Sequence, residues 1–293
     1  MNYYNEIKEK LIDNEIYSKV KDYSKERNRV ITYYEVGKLL SAAGKHYGEN
    51  IVGKYAEKLQ IEVGRKYSYR TLNYMVKLYN FQKVQSLTAN LTWGHWIELL
   101  SIRDVNVINY YINQCKELML TTRQLRERIK NKEYERLPEE TKKKLQDNKK
   151  ESISDLIKNP IIIKNPKNIE IIKEKVLQEL IMEDLDSFLK ELGNGFTYVG
   201  NEYKIKIGGS YNYIDLLLFN YKYNCFVVIE LKVTPLQKEH IGQIEVYMNY
   251  IDSKLKSINQ DKTIGIIICK HDNRFIMEYC SDKRIVSKEY NLV

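Results

Sequence analysis

Proline is scarce in this chain of 293 residues: four in all, and none before Pro138. Glycine is sparse as well, 13 in total, and thinly spread over the first 137 residues. Both residues interrupt helices, so a long stretch with little of either favours a helical region. Cysteine is equally rare. Cys115, Cys225, Cys269 and Cys280 stand far apart with no C-x-x-C spacing. That argues against a disulfide framework and a cysteine-built zinc site, and it fits a reducing cytoplasm. Cys225 and Cys269 fall in apolar runs and read as small buried hydrophobes. No run of about 18 uncharged apolar residues occurs, so no membrane span is expected. The opening Met1-Asn2-Tyr3-Tyr4-Asn5-Glu6 lacks a basic region followed by an apolar one, so a secretory leader is not expected either.

What is present is enough chain for two domains and, at 43% hydrophobic residues, enough apolar surface for real cores. Charge is unevenly shared. The net +9 divides into +8 over residues 1–137, +2 over 138–170 and −1 over 171–293. A basic part beside a carboxylate-bearing one suits an enzyme acting on DNA, one part attracting phosphates and the other holding metal. Solubility alone is the plainer explanation of a charge this modest.

Residues 1–137 read as mainly helical, with apolar residues at three- and four-residue steps: Val36, Leu39 and Leu40, then Leu72, Met75, Val76 and Tyr79. Ser68 is placed to cap a helix over Tyr69 to Phe81. A helix over Ile51 to Val63 precedes it, joined by Gly64-Arg65-Lys66-Tyr67, which gives a helix-turn-helix arrangement. Arg65, Lys66, Arg70, Asn73 and Lys77 are then candidates to meet phosphates and base edges. Arg123 and Arg126, beside Arg128 and Lys130, form a basic helix end that reaches phosphate or is simply solvated. His95, set between Trp93 and Trp96, reads as a packed or capping histidine.

Residues 138–168 break the pattern. Pro138 opens a charged stretch, and Pro160 and Pro166 bracket Ile161-Ile162-Ile163. This reads as an interdomain connector whose apolar triplet docks on something, such as a second subunit. Residues 169–293 form the second domain: a helix over Ile171 to Leu192 ending at Gly193, a strand over Tyr198 to Ile207, two strands around Asp215 and Glu230, a helix over Pro235 to Asp252, a strand over Thr263 to Lys270, and late edges at Phe275 to Cys280 and Ile285 to Val286. The order α-β-β-β-α-β implies a mixed sheet flanked by helices.

Three charges lie where charge is expensive. Asp215 sits in Tyr213-Ile214-Asp215-Leu216-Leu217-Leu218-Phe219, and Glu230 and Lys232 close Cys225-Phe226-Val227-Val228-Ile229-Glu230-Leu231-Lys232. Residues 220–224 between them read as a turn. Glu230 and Lys232 share one face of their strand, and if the two runs pair antiparallel, a register that brings Asp215 opposite the Glu230 region is available. Two carboxylates beside an ammonium suit Mg²⁺ or Mn²⁺, which take oxygen ligands, with the lysine near an attacking water or a phosphate. A plain salt-bridge cluster is the alternative.

An Asp followed on a hairpin by Glu-x-Lys resembles the PD-(D/E)XK nuclease motif. The surroundings, Gly208 to Leu217, Val227 to Lys232 and Gly242-Gln243 to Tyr250, resemble the nuclease domain of the YhcG-type family. Leu91 to Leu100 and Thr122 to Ile129 resemble the helical N-terminal domain that accompanies it. The resemblance implies a restriction-endonuclease-like α/β (α+β) fold in the C-terminal domain and a metal-dependent DNA endonuclease, with a homo-oligomer expected. Asp215 and Glu230 are then metal ligands, the Leu231 carbonyl offers a further one, and Lys232 orients the water. Glu183 matches a helix acid of related nucleases and joins the metal shell or holds a lysine. Gln243 and Tyr247, four apart on one helix face, match a glutamine–tyrosine pair that supports the site. A DNA-binding or scaffolding protein that keeps the fold without cleaving, and an RNA-directed nuclease, are the competing readings.

Overall fold

The computed structural model describes residues 3–19, 24–48, 50–81, 91–147, 149 and 152–293. The chain divides into two compact units, Met1–Tyr134 and Glu135–Val293.

Among the described residues the first unit is all helix: α1 (Tyr3–Lys19), α2 (Lys25–Tyr47), α3 (Ile51–Glu62), α4 (Tyr69–Asn80), α5 (Trp93–Leu99), α6 (Val105–Leu118) and α7 (Thr122–Lys130). Its core gathers Ile7, Leu11, Val36, Leu40, Leu59, Leu72 and Met75 at helical spacing. Gly37 lets α2 and α4 meet closely, because a Cβ there would collide with the Met75 carbonyl. Ser68 caps α4, its hydroxyl accepting from Thr71 N–H at 3.3 Å. His95 is buried and structural. Its Nδ1 accepts from Thr92 N–H at 3.1 Å, and its Nε2 donates to the Leu120 carbonyl at 2.8 Å.

The second unit begins with α8 (Glu139–Gln146) and α9 (Ile153–Leu156), then β1 (Ile161–Ile163), α10 (Glu174–Glu183), α11 (Leu185–Leu192), β2 (Phe196–Ile207), β3 (Ser210–Asn220), β4 (Cys225–Leu231), α12 (Lys238–Lys254), β5 (Asp261–Cys269), α13 (Arg274–Glu278) and β6 (Ile285–Leu292). Six strands form one mixed sheet in the order β1-β6-β5-β4-β3-β2. β2, β3 and β4 pair antiparallel, while β4, β5, β6 and β1 run parallel. Both faces are covered. Leu177, Leu180, Phe188 and Leu192 of α10 and α11 pack on Leu216, Val227, Ile229 and Ile266. Ile244, Met248 and Ile251 of α12 pack on Leu217, Val228 and Ile267. All four cysteines are free and buried, and no described helix is long and apolar enough to cross a membrane.

Four expected elements differ. The first concerns the stretch 138–168. Ile161-Ile162-Ile163 is an outer strand of this unit's own sheet, and residues from 135 onward belong to the unit rather than to a connector. Val293 N–H donates to the Ile163 carbonyl and Asn165 N–H to the Val293 carbonyl, while Ile161 and Ile163 enter the core. The β-branched triplet is what a buried strand needs. The second is the helix over 171–192, which breaks in two at Asp184. That residue has φ −135° and turns its carboxylate onto Ser187 N–H at 3.2 Å, capping α11. A residue spent as a cap cannot continue the helix before it. The third is the stretch 275–280, which is helical around α13. Asn273 caps it, accepting from Ile276 N–H at 3.4 Å. The fourth is β6, which is no edge: it lies between β5 and β1.

Candidate active site

The ladder between β3 and β4 pairs Leu216 with Ile229, so the next rung sets Asp215 beside Glu230. There the strands part. Asp215 Oδ2 accepts the Leu231 N–H at 2.7 Å, its side chain taking a ladder donor, and the Asp215 carbonyl accepts Gln178 Nε2 of α10 at 2.9 Å. Ile214 packs in the core under α12, whereas Leu216 packs in the opposite one, so side-chain alternation is interrupted at Asp215. Across the ladder Glu202 stands at φ 45°, a left-handed conformation that is costly for a residue with a Cβ. Such irregularities re-aim side chains at the place where pairing ends.

Glu230 and Lys232 point the same way, and Lys232 Nζ donates to Glu230 Oε1 at 2.8 Å. Glu230 is 2% exposed, and its Oε2 is buried with no hydrogen-bond partner. A buried carboxylate oxygen left without a donor is costly. Burial, then the neighbouring Asp215 charge, push the Glu230 carboxyl up to about 7 despite Lys232. Asp215 is raised as well, by burial first, against the Leu231 N–H and the Lys232 charge. Lys232 moves the other way from what its burial dictates. Burial lowers it, but Glu230, Glu174 and Asp215 together raise it, so the ammonium is held charged. Two carboxylates that resist ionisation around one orphaned oxygen are a donor set suited to a hard cation. The described residues hold no ready cluster of three or more His, Cys, Asp or Glu ligands. Among the described residues the acids of this candidate set are therefore the two carboxylates of Asp215 and Glu230.

The helix acid that reaches Lys232 is Glu174. Glu174 opens α10 and stands 3.7 Å from Lys232 Nζ. Glu183 lies nine residues on, about 13 Å along the axis, where it is half exposed and paired with Lys167 at 2.6 Å. Sequence reasoning missed Glu174, which carries no signal of its own beyond standing in a first helical turn.

Gln243 and Tyr247 bond to each other, Nε2 to the phenol oxygen at 3.1 Å, with Tyr247 buried under the sheet. The residue of α12 that senses the site's charges is His240. Its Nδ1 accepts Gln237 N–H at 3.1 Å, which leaves the ring proton of the neutral form on Nε2. Burial, then Lys232, lower its pKa, and Glu174 opposes them.

In the first unit Arg65, Arg70 and Lys77 are exposed and Asn73 half-buried, on α4 and the turn that leads into it. Arg70 and Lys77 lie over the Tyr74 ring at 5.7 and 5.4 Å. Lys66 pairs with Glu15 at 2.6 Å. Arg123 pairs with Glu127 at 3.3 Å, and Arg126 holds Glu98 through Nε and an η nitrogen at 3.1 and 2.8 Å.

Comparison with known proteins agrees with this division. Residues 154–293 match the family described as YhcG PDDEXK nuclease domain, and residues 10–136 match DUF1016 N-terminal domain. A curated Escherichia coli (strain K12) protein named "Putative nuclease YhcG" is 23% identical over 283 residues, spanning 81% of this chain and 76% of that one. Among solved structures, a repair endonuclease from Pyrococcus abyssi matches with 16% identity and a TM-score of 0.29, covering 43% of this chain and 49% of its own. EndoMS in a complex with double-stranded DNA matches with 19% identity and a TM-score of 0.30, covering 43% of this chain and 47% of its own. The overlap spans about half of each of those two chains.

Proposed function

The chain belongs to the family of YhcG-type PDDEXK nucleases, and on that premise we propose that it is a metal-dependent endonuclease that hydrolyses DNA phosphodiester bonds. The observation that carries the proposal is the orphaned, buried Glu230 Oε2, on a carboxylate that feels the Asp215 charge and whose other oxygen accepts from the Lys232 ammonium. In this reading Asp215, Glu230 and the Leu231 carbonyl hold Mg²⁺ or Mn²⁺. A bound divalent ion supplies a lowered pKa for water and a positive charge against the phosphorane oxygens. Lys232, kept charged by three acids, orients the attacking water and balances charge on the phosphate. Gln178 fixes the Asp215 backbone by holding its carbonyl. Gln243 and Tyr247 stiffen the face of α12 toward the sheet.

The basic helical unit supplies affinity for the duplex. α3 and α4 with residues 63–68 act as the helix-turn-helix, meeting DNA through Arg65, Arg70, Asn73 and Lys77, with Lys66, Arg123 and Arg126 released from their acids to reach phosphates. Exposed ion pairs of this kind are worth little, so the exchange is inexpensive. The setting is the cytoplasm, and the working form is an oligomer.

A plasmid-nicking assay with Mg²⁺, Mn²⁺ or EDTA tests the reading. Cleavage is expected with metal only, falling by about 10²–10³-fold or more in Asp215→Ala and in Lys232→Ala. Cleavage in EDTA, or full activity in Asp215→Ala, sinks it.

A further inference from the structure

The β2–β3 hairpin outruns the sheet. β4 covers β3 only from Leu216 to Asn220, while β2 and β3 stay paired out to Ile207 and Ser210. Beyond Asp215 the hairpin is therefore a two-stranded ribbon, closed by Gly208 at φ 59° and Gly209. One face of it is covered: Ile205 and Ile214 are buried under α12, and Tyr250 accepts Lys206 N–H at 3.5 Å. The other face carries the cross-strand partners Lys204 with Tyr213 and Lys206 with Tyr211. These four alternate with the buried residues, so they share that face, and all four are exposed. Tyr211 and Tyr213 are 57% and 52% exposed. Lys204 Nζ lies 3.8 Å above the Tyr211 ring and Lys206 Nζ 5.9 Å from it.

We propose that this ribbon face is a track that binds one strand of unpaired DNA and leads it to Asp215, a proposal that rests on the nuclease reading above. Two lysines at one end and Asp215 with Glu202 at the other set the polarity of the track. Phosphates ride over Lys204 and Lys206 and reach the carboxylate end where cleavage occurs. Tyr213 is two residues from Asp215, about 7 Å along the strand, so a base on it is close to the scissile phosphate. Aromatic rings interleaved with cations along a groove are what single-strand binders use, because every base has a stacking face and every nucleotide a phosphate. Substrates with an unpaired strand, such as flaps, forks or gaps, are thereby favoured over intact duplex. The exposed face has a second conceivable occupant, another copy of this chain, and the test separates the two.

The experiment measures anisotropy of a labelled single-stranded 20-mer and of its duplex with the full chain in EDTA, so that binding is read without cleavage. Tyr211→Ala/Tyr213→Ala is compared with Lys204→Ala/Lys206→Ala, each checked for unchanged circular dichroism. The tyrosine pair is expected to weaken single-strand binding by about tenfold per ring, with a much smaller loss on duplex. The lysine pair is expected to shallow the slope of log affinity against log salt by about 1.4, which is two phosphates of a single strand. Unchanged affinity and slope in both variants overturn the track, as does a loss confined to duplex. A shift from dimer to monomer with single-strand affinity intact also overturns it and assigns the face to self-association. Because nicking is read separately, tight tyrosine-dependent binding without cleavage leaves the track standing and sinks the nuclease reading instead.

Discussion

The sheet of the second unit holds two clusters of buried charge, and they are opposite in character. At its β1 side Glu191 is 7% exposed and every demand on it is met. It accepts both terminal guanidinium nitrogens of Arg136 and the Ile162 N–H at 3.0 Å, with Lys158 3.8 Å away. Burial pushes its carboxyl up, yet Arg136, Lys158 and that N–H outweigh burial and hold it below the usual range. At the β3–β4 fork Glu230 is equally buried but half satisfied, and it goes the other way, to about 7. Both acids cost desolvation on folding. The first recovers it within the chain; the second recovers only part of it, through Lys232, and keeps one oxygen without a donor. On the proposed function the difference separates a group kept for the fold from one kept for chemistry.

The largest expected effect breaks the satisfied cluster. Glu191→Ala strips the Arg136 guanidinium of its carboxylate, leaving it the Pro160 carbonyl, and leaves the Ile162 N–H without its acceptor at the place where β1 joins the sheet. Removing one partner of a buried pair costs roughly 3–5 kcal/mol, and urea unfolding is expected to show a loss of that size. A loss below about 1 kcal/mol would mean that this cluster is as dispensable as a surface pair, and the contrast would fail.

The unsatisfied cluster responds with the opposite sign. Glu230 binds a proton more tightly folded, at about 7, than unfolded, near 4.3. Between those values the folded chain holds the extra proton, so metal-free stability falls as pH rises through that window. Glu230→Gln removes the penalty. It is expected to raise metal-free stability at pH 8 by on the order of 2 kcal/mol, to change it little at pH 4, and to abolish nicking. Thermal unfolding in EDTA at both pH values checks this, and a stability gain independent of pH would refute the burial argument.

Much of this fork was legible before any coordinates. Apolar β-branched runs with charges at alternating positions specify strands and a shared face and allow the register that the ladder takes, and these are local facts of residues 213–232. What stayed hidden is non-local or depends on one capping choice. Nothing near Ile161 announces that Tyr290, 129 positions later, will pair with it. Nothing but the Asp184–Ser187 spacing says that the helix after residue 171 breaks, and Glu174, which opens the first of the two helices, carries no signal of its own. The Phe275–Cys280 run is apolar enough for a strand, and Asn273, bonding ahead to Ile276 N–H, makes it a helix. Caps decided both errors.

The contrast between Glu174 and Glu183 yields the smallest and most selective expectation. Glu174 is partly exposed and 3.7 Å from Lys232, so its charge is screened and is worth at most about 1 kcal/mol to the lysine. Glu174→Gln is therefore expected to slow nicking by no more than about fivefold. Glu183→Gln, which loses only an exposed pair with Lys167, is expected to leave the rate unchanged. A rate alone does not distinguish Glu174 acting on the site's charges from a structural role in starting α10, but His240 does. Glu174 raises the imidazole pKa against burial and Lys232, so Glu174→Gln is expected to lower it further, read from the ring-proton shifts, with Glu183→Gln inert. If both variants shift His240 alike, or neither does, the position of the helix acid is not what sets the field at Lys232. The contrast between the two clusters would then rest on Glu230 and Asp215 alone.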